Sequence, residues 1–405
     1  MTKMLSLDKP AAGIWSESKR QIWVDVALTM LVSSAILYAD FMNVIILGMH
    51  EKLSFSLQTA GDICSLNLLG TAVGSLVAAI FARKLVNFKN CAFFTVAIAL
   101  LDVSCIFVTH WQALYVLRGF HGLASGGLLA FCGAALSQRK SPERIMGASL
   151  AIQLALASGG AQFLPRIIQA DGLAIVFIIM SGFELLALAL LMLKAEYFSS
   201  IRVMRHPVEN EKSDLSTDAK LLFGLALFSL FLFQASRFMV VGFGFQIGDL
   251  FSFKRPFVGS VIGFGNWLSG AGALIATLLP RKTGRALPLI VAGIGNFSAS
   301  IALVTLGHDP MIFALATCAS ALFTFVALPY HYGVCFAIDK TGALGIWTAF
   351  ISKMGLSVGP AMGGFLISKY SLTAVLWLSA ILVFTATTLA CWPGRVADRC
   401  TQGEH

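Results

Sequence analysis

Residues 194–218 read KAEYFSSIRVMRHPVENEKSDLSTD, and this stretch decides how the chain is divided. It carries Arg202, Arg205, Glu209, Glu211, Lys212 and Asp214 in a chain of 405 residues that is 57% hydrophobic and only 12% charged. Outward from it on both sides, windows of about 20 residues, the length that crosses a bilayer as a helix, pick out apolar runs. Six precede it, at 22–47, 59–81, 90–109, 111–137, 146–168 and 172–193. Six follow it, at 219–248, 257–280, 286–307, 311–338, 343–367 and 371–393. The expected architecture is an all-α membrane protein of twelve transmembrane helices: an N-terminal six-helix bundle over 1–193, a linker over 194–218 and a C-terminal six-helix bundle over 219–405.

The totals agree with that division. A soluble domain carries about 25% charged residues; at 12%, and with a mean hydropathy of +0.82, this chain lacks the polar residues to cover a water-facing surface. Its formal charge of +9 does not point to nucleic acid, because the basic residues alternate between loops. With the N-terminus placed inside, 21 Lys and Arg fall on the inner side, 5 in the opposite loops, and 3 (Arg118, Arg237 and Lys353) within spans. That asymmetry predicts cytoplasmic termini. The polar start, ending in Ser18-Lys19-Arg20, and the length of the first run read as a retained span rather than a cleaved leader. Compact loops without a targeting segment fit a bacterial inner membrane.

The eight cysteines, Cys64, Cys91, Cys105, Cys132, Cys318, Cys335, Cys391 and Cys400, show no paired spacing, so neither a disulfide framework nor a metal site is expected. His110, His121, His308 and His331 lack the i, i+4 ligand spacing of a membrane-embedded metalloenzyme, and no phosphate-cradling loop is present. No cofactor is expected, and the chain reads as a monomer whose partners are the lipid bilayer, a small-molecule substrate and protons.

Self-similarity is the most specific signal. Ala82-Arg83-Lys84 after span two aligns with Pro280-Arg281-Lys282 after span eight at an offset of 198. Nearly the same shift lays Asp40-Phe41-Met42 on Arg237-Phe238-Met239. An offset of 200 lays Gly133 on Gly333, Lys140 on Lys340, Gly159 on Gly359, and Gln153 on Lys353. Six spans per unit make this a parallel repeat, the plan of transporters that bind substrate near mid-membrane between two rocking halves.

With this topology and these loops the chain resembles the major facilitator superfamily over its whole length to residue 393. The loop after span two keeps the family's paired bases in Arg83-Lys84, and Lys282-Thr283-Gly284-Arg285 keeps its basic and glycine portion; the preceding acid is absent from both. Span eleven contains Gly355-Leu-Ser-Val-Gly359-Pro360-Ala-Met-Gly363-Gly364, which looks like the glycine-proline motif that antiporters of the family carry in span five. Small-residue packing with a proline kink accounts for the same residues. The resemblance implies a secondary transporter, not an enzyme, with a central cavity lined by spans one, four, seven and ten.

Ionisable residues at membrane depth are costly and usually face a bundle interior or a wet cavity. At about 1.5 Å per residue, Asp40 and Arg118 lie at matching depth, so a pair between them is feasible. Asp40 is the expected proton carrier, with Arg118 tuning it or holding a substrate anion; the other reading is a static ion pair. His121, one turn from Arg118, is either a proton relay or a packing residue. Arg237, Lys353 and Gln153 are expected at the substrate, with Gln234, Tyr38, Tyr330 and His331 in the wall. Glu184 and Asp102 have no assigned place. Arg118, Arg237 and Lys353 against Asp40 favour a small organic anion, such as a carboxylate metabolite, moved by alternating access with protons. The alternatives are a multidrug or lipophile exporter, an uncoupled facilitator, or a non-transporting sensor of the same fold.

Overall fold

The computed structural model describes residues 11–85, 88–136, 139, 141–193, 216–280, 283–339 and 344–402. All regular structure described is helical. The first half comprises α1 (Ala11–Asp40), α2 (Met42–Lys52), α3 (Leu57–Leu85), α4 (Phe88–Ile106), α5 (Trp111–Leu136), α6 (Pro142–Asp171) and α7 (Ala174–Leu193). The second comprises α8 (Thr217–Gly242), α9 (Gly244–Leu250), α10 (Arg255–Leu278), α11 (Ala286–Leu306), α12 (Pro310–Ile338), α13 (Gly345–Lys369) and α14 (Leu372–Gln402). Twelve of these are long and apolar enough to cross a membrane. The linker expected at 194–218 lies outside the described residues except for its last three positions.

Helices are the form that satisfies every backbone polar group without water, and the side chains turned outward match a lipid solvent. Leu278 is 80% exposed and Phe107 78%, with Phe93, Leu193 and Met311 also turned out. The helix starts carry ordinary caps: Ser216 accepts from the backbone N–H of Ala219, and Asp309, ahead of Pro310, accepts from those of Met311 and Ile312.

Spans one and seven, expected to be continuous, are each broken. The first turns at Phe41 (φ −97°, ψ 5°) between α1 and α2; the seventh turns at Phe243 (φ −107°, ψ 22°) between α8 and α9. Both broken spans then end in a serine with left-handed backbone, Ser54 (φ 57°) and Ser252 (φ 60°). These serines are 198 positions apart, the offset found between the loops. The repeat is thus written in backbone dihedrals where little sequence identity remains.

The halves meet closely at the end away from the termini. There the Ser65 hydroxyl accepts from the Ala361 N–H (2.7 Å), the Ser368 hydroxyl donates to Gln58 Oε1 (2.8 Å), and Ser158 donates to the Gly263 carbonyl. Gly61 of α3 lies against the Pro360 carbonyl of α13, and Gly259 of α10 against the Ala161 carbonyl of α6. At the rim, Arg255 pairs with Glu51 of the other half and reaches Asp249 at 3.6 Å. These three hydrogen bonds and the Arg255–Glu51 pair join the two halves at this end. Because the Arg255 cluster is about one-quarter to one-half exposed, such a pair contributes at most about 1 kcal/mol. Arg255→Gln is therefore expected to leave the Tm nearly unchanged while raising the reactivity of a cysteine placed at Ser65 toward an impermeant thiol reagent.

Candidate functional site

A cavity of about 390 Å³ lies at mid-depth between the halves, within the range of small-molecule sites. Three of its lining residues are ionisable in the Asp, Glu, Lys, Arg or His sense: Asp40 at the end of α1, Arg237 on α8, and Lys353 on α13. Gln153 of α6 completes the set. The two positions at which the repeat changes charge, Asp40 with Arg237 and Gln153 with Lys353, therefore meet on one surface.

Asp40 and Arg237 are close enough to feel each other's charge, yet they form no contact ion pair. Asp40 Oδ2 is buried without a hydrogen-bond partner. The Arg237 guanidinium is seated on aromatic faces, 4.5 Å from the Phe325 ring centroid and 5.1 Å from that of Phe238, which fixes its direction without neutralising it. Apolar groups such as Ile36, Leu154, Val240, Ile262 and Leu356 surround these charges. The lining charge is one excess positive.

Several expected wall residues sit elsewhere. Arg118 does not reach the cavity and does not pair with Asp40: its Nη1 lies 2.6 Å from Asp102 Oδ1, deep within the first half. The guanidinium lies against the rings of Tyr38 (5.1 Å) and Phe177 (4.6 Å) and is 1% exposed. Equal depth in two helices did not mean equal direction. Arg118 turns inward because Gly119, Gly122 and Gly126 place that side of α5 directly against α3; a Cβ at Gly122 would fall on the Asn67 carbonyl. His121 follows Arg118 into the same interior, with Nε2 3.4 Å from Asp102 Oδ1 and 3.8 Å from Glu184 Oε1.

Gln234 also lies behind the wall, donating to the Ser352 hydroxyl at 2.9 Å, which the Tyr332 hydroxyl reaches at 2.6 Å. His331 is buried against Phe233, with Nδ1 3.3 Å from the Ser229 hydroxyl, and Tyr330 donates to the Ala276 carbonyl. Spans one, four, seven and ten all contribute to the cavity lining, span four through Leu129 alone, and other spans join them, among them span five with Gln153 and span eleven with Lys353. Tyr38 does line it, with its ring also against Arg118.

Gln153 is not the sole carboxamide at the cavity. Asn43, Asn67, Asn266 and Asn296 all line the cavity. Asn296 donates to Thr324 and accepts from Ser320, which opens a polar recess between α11 and α12. Asn67 and Asn266 are 199 positions apart, so the repeat offset, applied to amides, would have found them.

Asp102, His121 and Glu184 present one donor atom each within 4.8 Å of one another, a set that elsewhere could hold a metal ion. Here the Arg118 guanidinium already supplies positive charge against Asp102.

Comparison with curated proteins returns no match to the chain. The family model of the Major Facilitator Superfamily matches residues 26–338, from the first span through the tenth. Twelve spans, a mid-depth cavity between halves and this match together assign the chain: it belongs to the major facilitator superfamily of secondary transporters and is not an enzyme.

Proposed function

We propose that this transporter moves a small organic anion with an apolar body across the membrane by alternating access, coupled to protons. The observation that carries the reading is the cavity lining: Arg237 and Lys353 against Asp40, set among aliphatic and aromatic side chains. Arg237 offers a planar fork to a carboxylate and Lys353 a point charge. Asp40, opposite Arg237, competes with the substrate anion for the same cation. A proton taken up by Asp40 releases Arg237 to the substrate, and loss of that proton returns Arg237 to Asp40. The termini are placed in the cytoplasm on the loop charges, and the membrane is read as a bacterial inner membrane.

The test is reconstitution into proteoliposomes with a pH gradient imposed across the membrane. Monocarboxylates of graded apolar size are expected to accumulate, and a protonophore to abolish the accumulation. Arg237→Gln is expected to raise the half-saturating concentration about 10–100-fold, the worth of one charged hydrogen bond of about 1.5–3 kcal/mol. Asp40→Asn is expected to keep substrate exchange while losing gradient-driven accumulation. Transport or thermal stabilisation by organic cations alone would overturn the anion reading and favour a multidrug exporter.

A further inference from the structure

The buried cluster behind the cavity wall has a charge that hydrogen bonding settles. Asn67 directs one side-chain nitrogen at both the Arg118 carbonyl (3.0 Å) and His121 Nδ1 (2.9 Å). A carbonyl only accepts, so that end of Asn67 is the amide NH2, and its second hydrogen goes to Nδ1. His121 Nδ1 therefore carries no proton, and the ring is the neutral tautomer whose Nε2–H faces Asp102 and Glu184.

Arg118 and Asp102 cancel as an ion pair at 2.6 Å. With His121 neutral, Glu184 remains, 0% exposed and with both carboxyl oxygens buried without a hydrogen-bond partner. One of its oxygens lies within 4.8 Å of an oxygen of Asp102, in the same buried group. Two carboxylates that close, both 0% exposed and facing a single cation, cannot both stay ionised, so one of them holds a proton. The other titratable groups facing the cluster are Tyr38 from α1, Cys64 from α3 and Cys105 from α4. None of these supplies a second positive charge.

We infer that Glu184 and Asp102 form a proton-binding site inside the N-terminal half, holding one exchangeable proton that is coupled to the cavity through Tyr38 and Asn67. Both side chains belong to two surfaces at once. Tyr38 and Asn67 line the cavity, while the Tyr38 ring covers Arg118 and stands 5.7 Å from the His121 ring, and Asn67 fixes the His121 tautomer. Tyr38 is also two residues before Asp40 and three before the break at Phe41. A movement of that joint reaches the substrate charge and the proton site together.

The coupling rests on the proton-driven reading above; the bound proton does not, and the experiment separates them. Infrared difference spectroscopy on the purified full-length protein, without substrate, reads protonated carboxyl groups directly. At neutral pH a protonated-carboxyl stretch is expected that shifts in deuterium oxide. Glu184→Gln should abolish it with the Tm retained, because the amide mimics the protonated acid; Asp40→Asn should leave it in place. In proteoliposomes, Glu184→Gln should reduce gradient-driven accumulation at least tenfold while exchange persists. A stretch unchanged by both Glu184→Gln and Asp102→Asn overturns the site, as does stoichiometric metal at the cluster by elemental analysis. Wild-type flux indifferent to pH, with the stretch present, would overturn the coupling and the proton-driven reading together but leave the bound proton standing.

Discussion

Arg118→Leu is expected to lower stability by about 3–5 kcal/mol, because removing one partner of a buried ion pair leaves the other charge without compensation. The partner is Asp102, 2.6 Å away and 0% exposed, with Glu184 adjoining it. Water does not relieve the pair, since its side chains are 1% and 0% exposed and the Tyr38 and Phe177 rings lie against the guanidinium. The effect is read as a fall in Tm in detergent and loss of a monodisperse peak in size-exclusion chromatography. The double variant Arg118→Leu with Asp102→Leu is expected to recover most of the loss, since neither charge is then stranded. Arg118→Leu with wild-type Tm would mean that the cluster is hydrated rather than closed.

The second large effect concerns the contact between the halves. Gly61→Val and Gly259→Val each direct new side-chain atoms into a backbone carbonyl of the opposite half, Pro360 and Ala161 respectively. Backbone yields less readily than a flexible side chain, so the halves themselves must part. An overpacking cost of about 1–3 kcal/mol then falls on the state closed at this end and shifts the balance of states about 5–150-fold. A cysteine at Ser65, whose hydroxyl is bonded across the contact, should react faster with an impermeant thiol reagent applied from that end, and net transport should fall. Gly133→Val, where nothing lies within 4 Å of the added carbon, serves as the control and should transport normally. Unchanged labelling in both interface variants would show that this contact does not gate access.

The sequence carried the spans well because hydrophobicity over about 20 residues is a property of a whole window. The run at 59–81 is α3 at Leu57–Leu85, and that at 311–338 is α12 at Pro310–Ile338. It did not carry the joint at Phe41, where one residue's dihedrals change between Asp40 and Met42 and no proline or glycine marks the place. The seventh span offered a hint in Gly242-Phe243-Gly244, two glycines around the turning residue. For the site, the repeat offset brought Asp40, Arg237, Gln153 and Lys353 together because it compares positions of like geometry. Depth counting failed for Arg118, since distance along a helix says nothing of the direction a side chain takes around it. That direction was set by the glycines at 119, 122 and 126, whose partner helix is not named by the sequence. Glu184 and Asp102 went unplaced for the same reason.

The few polar bonds that fasten the halves at one end have an energetic consequence. Hydrogen bonds such as Ser65 with Ala361, Ser368 with Gln58 and Ser158 with Gly263 are worth about 1 kcal/mol net apiece. One proton descending one pH unit releases about 1.4 kcal/mol. On the proposed proton coupling, one latch bond and the drive from one pH unit are thus of one size. On that reading a latch of such bonds holds the end shut against thermal motion without biasing the cycle irrevocably, so the prevailing gradients, rather than the architecture, would decide the direction in which cargo flows.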